Sequence, residues 1–237
     1  MNLHVITPVK NSIDTTLQAI EKIFLSDATV DFTFTVYNDF SDEDVTRKLQ
    51  DITKTHGFNL INLCDITNHP SPNYLLILQL AQQKAIKEKA HLLIVESDVL
   101  VENNTIQRLF DYASQLDNPG LIASVTVDEK GEVNFPYLFA RPYKKGVFST
   151  SKRLSFCCTL LTNEFLSTYD FEELDPQKSW YDVFISHKST ALGFSNYLIT
   201  SLPVVHKPHS SRPWKKLKYT NPIKYYWRKY TRGLDKI

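Results

Sequence analysis

Glycine is scarce in this chain, with six in 237 residues. There is no G-x-G-x-x-G run and no G-x-x-x-x-G-K-[ST] loop, so neither glycine-rich device for cradling phosphate is present. Any phosphate must be held in another way, and a metal bound by carboxylates is the candidate. Cysteine is equally sparse: Cys64, Cys157 and Cys158 are odd in number and lack C-x-x-C spacing. That excludes a disulfide framework, makes a zinc site an unfavoured reading, and leaves reduced, buried thiols as the expectation. No stretch of about 18 apolar residues occurs, so no membrane-spanning helix is expected. Met1-Asn2-Leu3-His4-Val5-Ile6 has neither a basic lead nor a long apolar run and reads as a first strand. A cytoplasmic protein, in place or peripheral on the inner face of the membrane, is the expectation.

What is present is the material for a substantial core, 42% hydrophobic against 22% charged residues. The length suits one domain, with residues 1–210 as its body and 211–237 as a basic, aromatic extension. The net charge of +1 conceals an asymmetry: from Lys207 onward there are ten Lys/Arg and one acid, Asp235. The body is therefore acidic and the tail basic, which points the tail toward something anionic. Pro213-Trp214-Lys215-Lys216-Leu217-Lys218-Tyr219 and Tyr225-Tyr226-Trp227-Arg228-Lys229-Tyr230 mix cations with aromatics. That composition suits an anionic membrane surface or a lipid-linked acceptor, or a helix packing its aromatics on the domain. Nucleic acid is disfavoured by the acidic body.

Along the chain, strand and helix signals alternate. Leu3–Ile6 is a short apolar strand, and Thr15–Phe24 has helical spacing at Leu17, Ile20, Ile23 and Phe24. Phe32–Tyr37 is rich in β-formers and ends at Asn38-Asp39. Ser41-Asp42-Glu43-Asp44 offers a capping-box start to a helix reaching about His56. Asn59–Leu63 is a third strand, Leu75–Lys89 a helix, and Leu92–Val95 a continuous apolar run of the buried-strand type. Downstream, Asn104–Leu116 and Trp180–Leu192 read as helices, the latter closed by Gly193. Leu121–Val127, Val133–Phe139, Phe156–Leu161, Tyr197–Ser201 and Pro203–His206 read as strands, with a hairpin turn at Glu129–Glu132. The pattern predicts an α/β fold with a mixed, mostly parallel sheet flanked by helices. In such sheets ligands gather beyond the carboxyl ends of the strands, where Thr7-Pro8, Asn38-Asp39 and Glu96-Ser97-Asp98 fall.

Glu96 and Asp98, one residue apart at the end of a buried strand, point the same way if the segment is extended. Two such carboxylates can share Mg²⁺ or Mn²⁺ while leaving positions for substrate phosphates; a solvated acidic turn is the alternative. Asp39 suits a base N–H or ribose hydroxyl, or the dipole of the following helix. His206 is a candidate imidazole ligand, with His209 a weaker second.

The series Val5-Ile6-Thr7-Pro8-Val9-Lys10-Asn11, Val36-Tyr37-Asn38-Asp39-Phe40-Ser41 and Leu92-Leu93-Ile94-Val95-Glu96-Ser97-Asp98 resembles the GT-A glycosyltransferases of family 2. The resemblance continues through Trp180-Tyr181-Asp182-Val183 to Val204-Val205-His206 and spans roughly residues 3 to 210. It implies a GT-A, nucleotide-diphospho-sugar transferase-like domain working on a nucleotide-sugar donor with Mn²⁺ or Mg²⁺. Thr7, Pro8, Asn38, Asp39, Glu96 and Ser97 would contact the donor. Asp98, Glu96 and His206 would hold the metal, with Glu96 binding directly, through water, or touching the donor sugar instead. Asp182 would be the general base of an inverting transfer, beside two aromatics able to stack on sugar. The acceptor would be a glycan or lipid-linked hydroxyl, in surface glycan or polysaccharide synthesis. Departures from the family pattern are Asn38 for its first acid, Phe40 for its glycine, Glu96 for the first acid of Asp-x-Asp, and Gln82-Gln83-Lys84-Ala85 where relatives carry Asn-x-Gly. The atypical Asn38-Asp39-Phe40 motivates a rival reading, a non-catalytic nucleotide-sugar or glycan-binding module of the same fold. A nucleotidyltransferase would share the metal and the sheet but need a basic phosphate-gripping loop, which the N-terminal region lacks.

Overall fold

The computed structural model describes residues 2–207 and 221–231. His209 and most of the basic, aromatic extension lie outside the described residues. Strands β1 (Asn2–Val9), β2 (Phe32–Asn38), β3 (Asn59–Asn62) and β4 (Ala90–Val95) form the parallel half of one sheet, ordered β3-β2-β1-β4. Helices α1 (Ile13–Phe24), α2 (Glu43–His56) and α3 (Tyr74–Lys87) alternate with them, as the periodicity predicts. The sheet then continues through the second half of the chain. Strand β8 (Cys158–Leu161) lies antiparallel between β4 and β6 (Pro119–Val127), and β9 (Ser195–His206) runs parallel to β6. Two short strands, β5 (Val99–Leu100) and β7 (Val147–Ser149), pair antiparallel with β9.

Burial on both faces explains why these strands read as unbroken apolar runs. In β4, Leu92 and Ile94 join the core cluster that holds Ile77, Leu78 and Ala81 of α3. Leu93 and Val95 join the opposite cluster, with Ile20 and Ile23 of α1 and Leu49 of α2. Successive strand side chains point to opposite faces, so each face receives alternate residues. Helix α4 (Thr105–Gln115) covers the second face through Ile106 and Leu109. Helices α5 (Asn163–Thr168) and α6 (Tyr181–Ala191) cover the first through Phe165 and Ile185. Gly193, at φ +87°, ends the α6 turn in the left-handed region, where a side chain is strained.

Several local expectations give way to tertiary partners. The capping box at Ser41 does not form: Asp42 is the N-cap residue of α2, without a side-chain cap bond. The Ser41 hydroxyl instead accepts the Asn11 N–H at 3.0 Å, and Asn11 Oδ1 accepts the Asp42 N–H at 2.7 Å. The turn after β6 forms, with Asp128 Oδ1 accepting the N–H groups of Lys130 and Glu132. Val133–Phe139 is nevertheless not a strand beyond a single bridge at Val133. Pro136 has no N–H to give a ladder, and Asn134-Phe135 is held by the Thr126 hydroxyl and by the Asn134 amide donating to the His206 carbonyl. The two late strands are one, β9. Thr200–Pro203 bulge out of its pairing with β6, which accommodates Pro203. The C-terminal helix α7 (Pro222–Thr231) exposes Ile223, Tyr226, Trp227 and Tyr230. Among the described residues no helix is long and apolar enough to cross a membrane.

Two outcomes follow from this packing. A Cβ at Gly120 would stand 2.1 Å from Ser189 Oγ and 2.8 Å from Phe194 Cβ. Gly120→Ala should therefore lower unfolding free energy by about 1–3 kcal/mol in denaturant titration. The buried His91 accepts the Asn163 N–H on Nδ1 at 2.9 Å, which requires the neutral ring, and burial lowers its pKa below the ordinary 6.5. Burial likewise lowers that of His4 despite its contact with Glu88. Because the unfolded chain binds these protons more readily, stability is full above pH 6.5 and is lost as pH falls below it. The thermal midpoint should fall between about pH 7 and about pH 5, and fall less in His91→Gln.

Candidate active site

The parallel strands end at one edge: Thr7-Pro8-Val9 closes β1, Asn38 closes β2 with Asp39 just beyond it, Asn62 closes β3, and Glu96 follows β4. The second half delivers more to the same edge. β8 enters it beside β4, with the Glu96 N–H donating to the Cys157 carbonyl at 2.9 Å. β9 leaves at it, with His206 paired to Val99. The strand order thus brings Glu96, Asp98, Cys157 and His206 together from three distant parts of the chain.

The extended geometry expected for Glu96-Ser97-Asp98 is not what forms. The tripeptide is a tight turn, closed by the Val99 N–H on the Glu96 carbonyl at 3.0 Å. The reversal is imposed by β5, which must run back along β9. Glu96 stays half-buried while Ser97 and Asp98 are buried. His206 is buried too, and its Nδ1 donates to the Phe135 carbonyl at 2.7 Å. A carbonyl only accepts, so Nδ1 carries a proton, and Nε2 is left facing Asp98 Oδ2, 3.6 Å away. An imidazole anchored through one nitrogen to a backbone carbonyl and aimed at a carboxylate with the other is the arrangement of a metal-ligating histidine. Ligand atoms of Glu96, Cys157 and His206 all lie within 4.8 Å of one another. The donor set fits a divalent cation.

The expected donor-binding residues divide. Pro8 is half-buried at the end of β1. The Asn38 amide donates to Thr46 Oγ1 and Asn62 Oδ1, both at 2.9 Å, tying β2 to α2 and β3. Asp39 Oδ2 accepts from Ser71 Oγ at 2.7 Å and the Asn73 N–H at 2.9 Å, and Oδ1 from the Asn73 amide at 2.8 Å. Its carboxylate thereby fixes the loop that leads into α3. Thr7 is fully buried, and its Oγ1 has no hydrogen-bond partner among the described residues. Phe40, at the position where the family pattern has glycine, takes φ +55°, and its carbonyl accepts the Lys10 ammonium. The backbone shape that glycine would give is kept, at a cost of about 1–2 kcal/mol.

Asp182 stands in the first turn of α6, its side chain 20% exposed and 3.3 Å from the Arg153 guanidinium. Tyr181 is buried in the core, so of the two aromatics expected to meet sugar only Trp180 keeps exposed surface, half-buried with Arg153 over its ring. Segment 153–157 joins the two halves of the site. Arg153 meets Asp182, Ser155 exchanges hydrogen bonds with the Tyr137 hydroxyl, and Cys157 Sγ lies 3.6 Å from Glu96 Oε2. Four residues span at most about 14 Å, which bounds the backbone separation of the two ends. Burial, with Cys157 and Asp182 nearby, pushes the Tyr137 phenol well above its usual range. The Arg153 and Cys157 contributions were not legible in the sequence, since neither lies in a motif and only strand insertion places them.

The fold is that of GT-A glycosyltransferases. The chain is similar to S. aureus TarS 1-349 in complex with UDP-GlcNAc (TM-score 0.70, 14% identity, covering 96% of this chain and 64% of that one). It is similar to the mannosyltransferase PcManGT from Pyrobaculum calidifontis in complex with GDP-Man and Mn²⁺ (TM-score 0.63, 13% identity, 91% and 59%). It is also similar to GalNAc-T7 with UDP, GalNAc and Mn²⁺ (TM-score 0.62, 14% identity, 87% and 44%). In each case the chain spans less than two thirds of the length of the solved protein. No protein-family model and no curated protein matches the sequence.

If Asp39 organises the loop before α3, Asp39→Ala should destabilise the protein by about 1–3 kcal/mol through the donors left unpaired. Amide exchange should quicken across residues 66–73. Unchanged stability and exchange would mean that the carboxylate is not needed to hold the loop.

Proposed function

We propose that this chain is a metal-dependent, inverting glycosyltransferase of family 2 that moves a sugar from a nucleotide-sugar donor to an acceptor hydroxyl. The observation that carries the reading is His206. A buried imidazole with its tautomer set by the Phe135 carbonyl faces Asp98 at the edge where the parallel strands end. Mn²⁺ or Mg²⁺ held by Asp98, Glu96 and His206 would neutralise, as a Lewis acid, the charge on the departing nucleoside diphosphate. The remaining work falls to side chains. Asp182 takes the proton of the acceptor hydroxyl as that oxygen bonds to the anomeric carbon and the bond to the diphosphate oxygen breaks. Arg153 holds the Asp182 carboxylate in place and adds fixed positive charge to the site, and Trp180 offers a face to sugar. Pro8 borders the donor, while Thr7, Asn38, Asp39 and Ser97 shape its pocket from inside the protein. UDP-GlcNAc in TarS and GDP-Man in PcManGT support a nucleoside diphosphate sugar as the donor class.

A role in surface glycan or polysaccharide synthesis at the cytoplasmic face of a membrane is consistent with the basic tail. The exposed Ile223, Tyr226, Trp227 and Tyr230 support contact with a lipid-linked acceptor or an anionic surface. The second reading, a binding module without turnover, is favoured by the internal bonds of Asn38 and Asp39.

A panel of UDP- and GDP-sugars with Mn²⁺ or Mg²⁺ should raise the thermal midpoint only when sugar nucleotide and metal are both present. Free nucleotide should accumulate on incubation, which a pure binder would not produce. Asp182→Asn should lower the transfer rate by about 10²–10⁴-fold while the donor-induced shift remains. Turnover at the wild-type rate in that variant would remove Asp182 from the mechanism.

A further inference from the structure

The ligand cluster at the sheet edge contains a sulfur, and sulfur changes which cations the site prefers. Cys157 precedes β8, whose insertion beside β4 sets its thiol against Glu96, with Sγ 3.6 Å from Oε2. It is buried, 3% exposed, and Ser155 Oγ stands 3.4 Å from the same sulfur. His206 Nε2 is 3.6 Å from Asp98 Oδ2, and the Glu96, Cys157 and His206 ligand atoms fall within one 4.8 Å sphere of mutual distances. A tetrahedral zinc ion with Zn–S of about 2.3 Å and Zn–O of about 2.1 Å separates its sulfur and oxygen ligands by about 3.6 Å. The Cys157 thiol donates to Glu96 Oε2 across that same 3.6 Å, so a cation taking the place of the shared proton meets both ligands at a fitting separation. The histidine already carries the outer bond that fixes a ligating ring.

Resting on the reading of this edge as a metal site, we propose that Cys157 is a direct metal ligand and makes the site selective for thiophilic divalent cations, Zn²⁺ or Co²⁺, over Mg²⁺. On binding, the thiol proton leaves to solvent and the thiolate sulfur donates its electron pair to the cation, with no change of oxidation state. A carboxylate–thiolate–imidazole set is of borderline softness. It follows the order in which Mn²⁺ binds more weakly than Co²⁺, while Mg²⁺ prefers oxygen alone. The other cysteines do not compete for the role. Burial pushes the Cys158 thiol up to about 12. Cys64 is exposed on the turn after β3.

The test is optical and does not depend on turnover. Metal-free full-length protein is titrated with Co²⁺, following both the visible d–d bands and the thiolate-to-cobalt charge-transfer absorption in the near ultraviolet. Affinities for Zn²⁺, Co²⁺ and Mg²⁺ are measured by competition in wild type, Cys157→Ser and Cys64→Ser, with circular dichroism confirming that each variant is folded. The expected result is one Co²⁺ bound, with charge-transfer absorption that persists in Cys64→Ser and vanishes in Cys157→Ser while d–d bands remain. The preference for Co²⁺ over Mg²⁺ should shrink by about tenfold or more in Cys157→Ser. Co²⁺ bound without a charge-transfer band, or with a band that survives Cys157→Ser, overturns thiolate ligation and leaves the metal site standing. No binding of any of the three cations overturns the metal site itself and the proposal with it. If Cys157→Ser does not fold, Cys157→Ala and cadmium-113 NMR of the wild type, whose chemical shift reports sulfur ligation, decide the question.

Discussion

Helices seal both faces of the β-sheet, and this constraint governs where a polar group can stand. Along β4, Leu92 and Ile94 are buried under α3 while Leu93 and Val95 are buried under α1 and α2. A carboxylate at any of these positions would lose its water without gaining a partner, a penalty of several kcal/mol. Only beyond Val95, where the helices no longer cover the strand, can acids appear. Glu96 and Asp98 stand there, as Asn38 and Asp39 stand at the end of β2 and His206 at the end of β9.

The antiparallel insertion of β8 between β4 and β6 does the remaining assembly. It carries segment 153–157 across the sheet edge, so one short stretch of backbone touches Asp182 at Arg153 and Glu96 at Cys157. The loop 134–135, clamped between the ends of β6 and β9, gives His206 its backbone acceptor. The groups gathered at this edge are thus held by strands and by a loop clamped through its two carbonyls and the Asn134 amide, the kind of support that fixes a site in advance.

The alternation of strand and helix through Val95 was legible because those elements are local and periodic. Four parallel strands and their helices stand where the apolar pattern puts them, the largest shift being β1, which runs on from Ile6 to Val9. Legibility fell where local signals met tertiary competitors. Ser41 gives its hydroxyl to Asn11 instead of capping α2, and Val133–Phe139 surrenders its strand to Pro136 and the Asn134 bonds. Strands as short as β5 and β7 have too little pattern to read. The acidic tripeptide was found by its position, but its shape was not: the turn exists because β5 must return along β9. Asp39 and Asn38 stand where expected, yet their hydrogen bonds face inward.

By itself the sequence determined the α/β class, the parallel half of the sheet, and the placing of Asp39, Glu96, Asp98 and His206 at strand ends. These follow from burial periodicity, which each segment carries within its own residues. Which acids meet which bases was decided only by tertiary structure. Strand order is set by pairing between segments far apart in sequence, and no local pattern encodes that β8 lies between β4 and β6. That choice put Cys157 beside Glu96, Arg153 beside Asp182, and Asp98 before the one nitrogen of His206 that a carbonyl 71 residues away in sequence does not occupy.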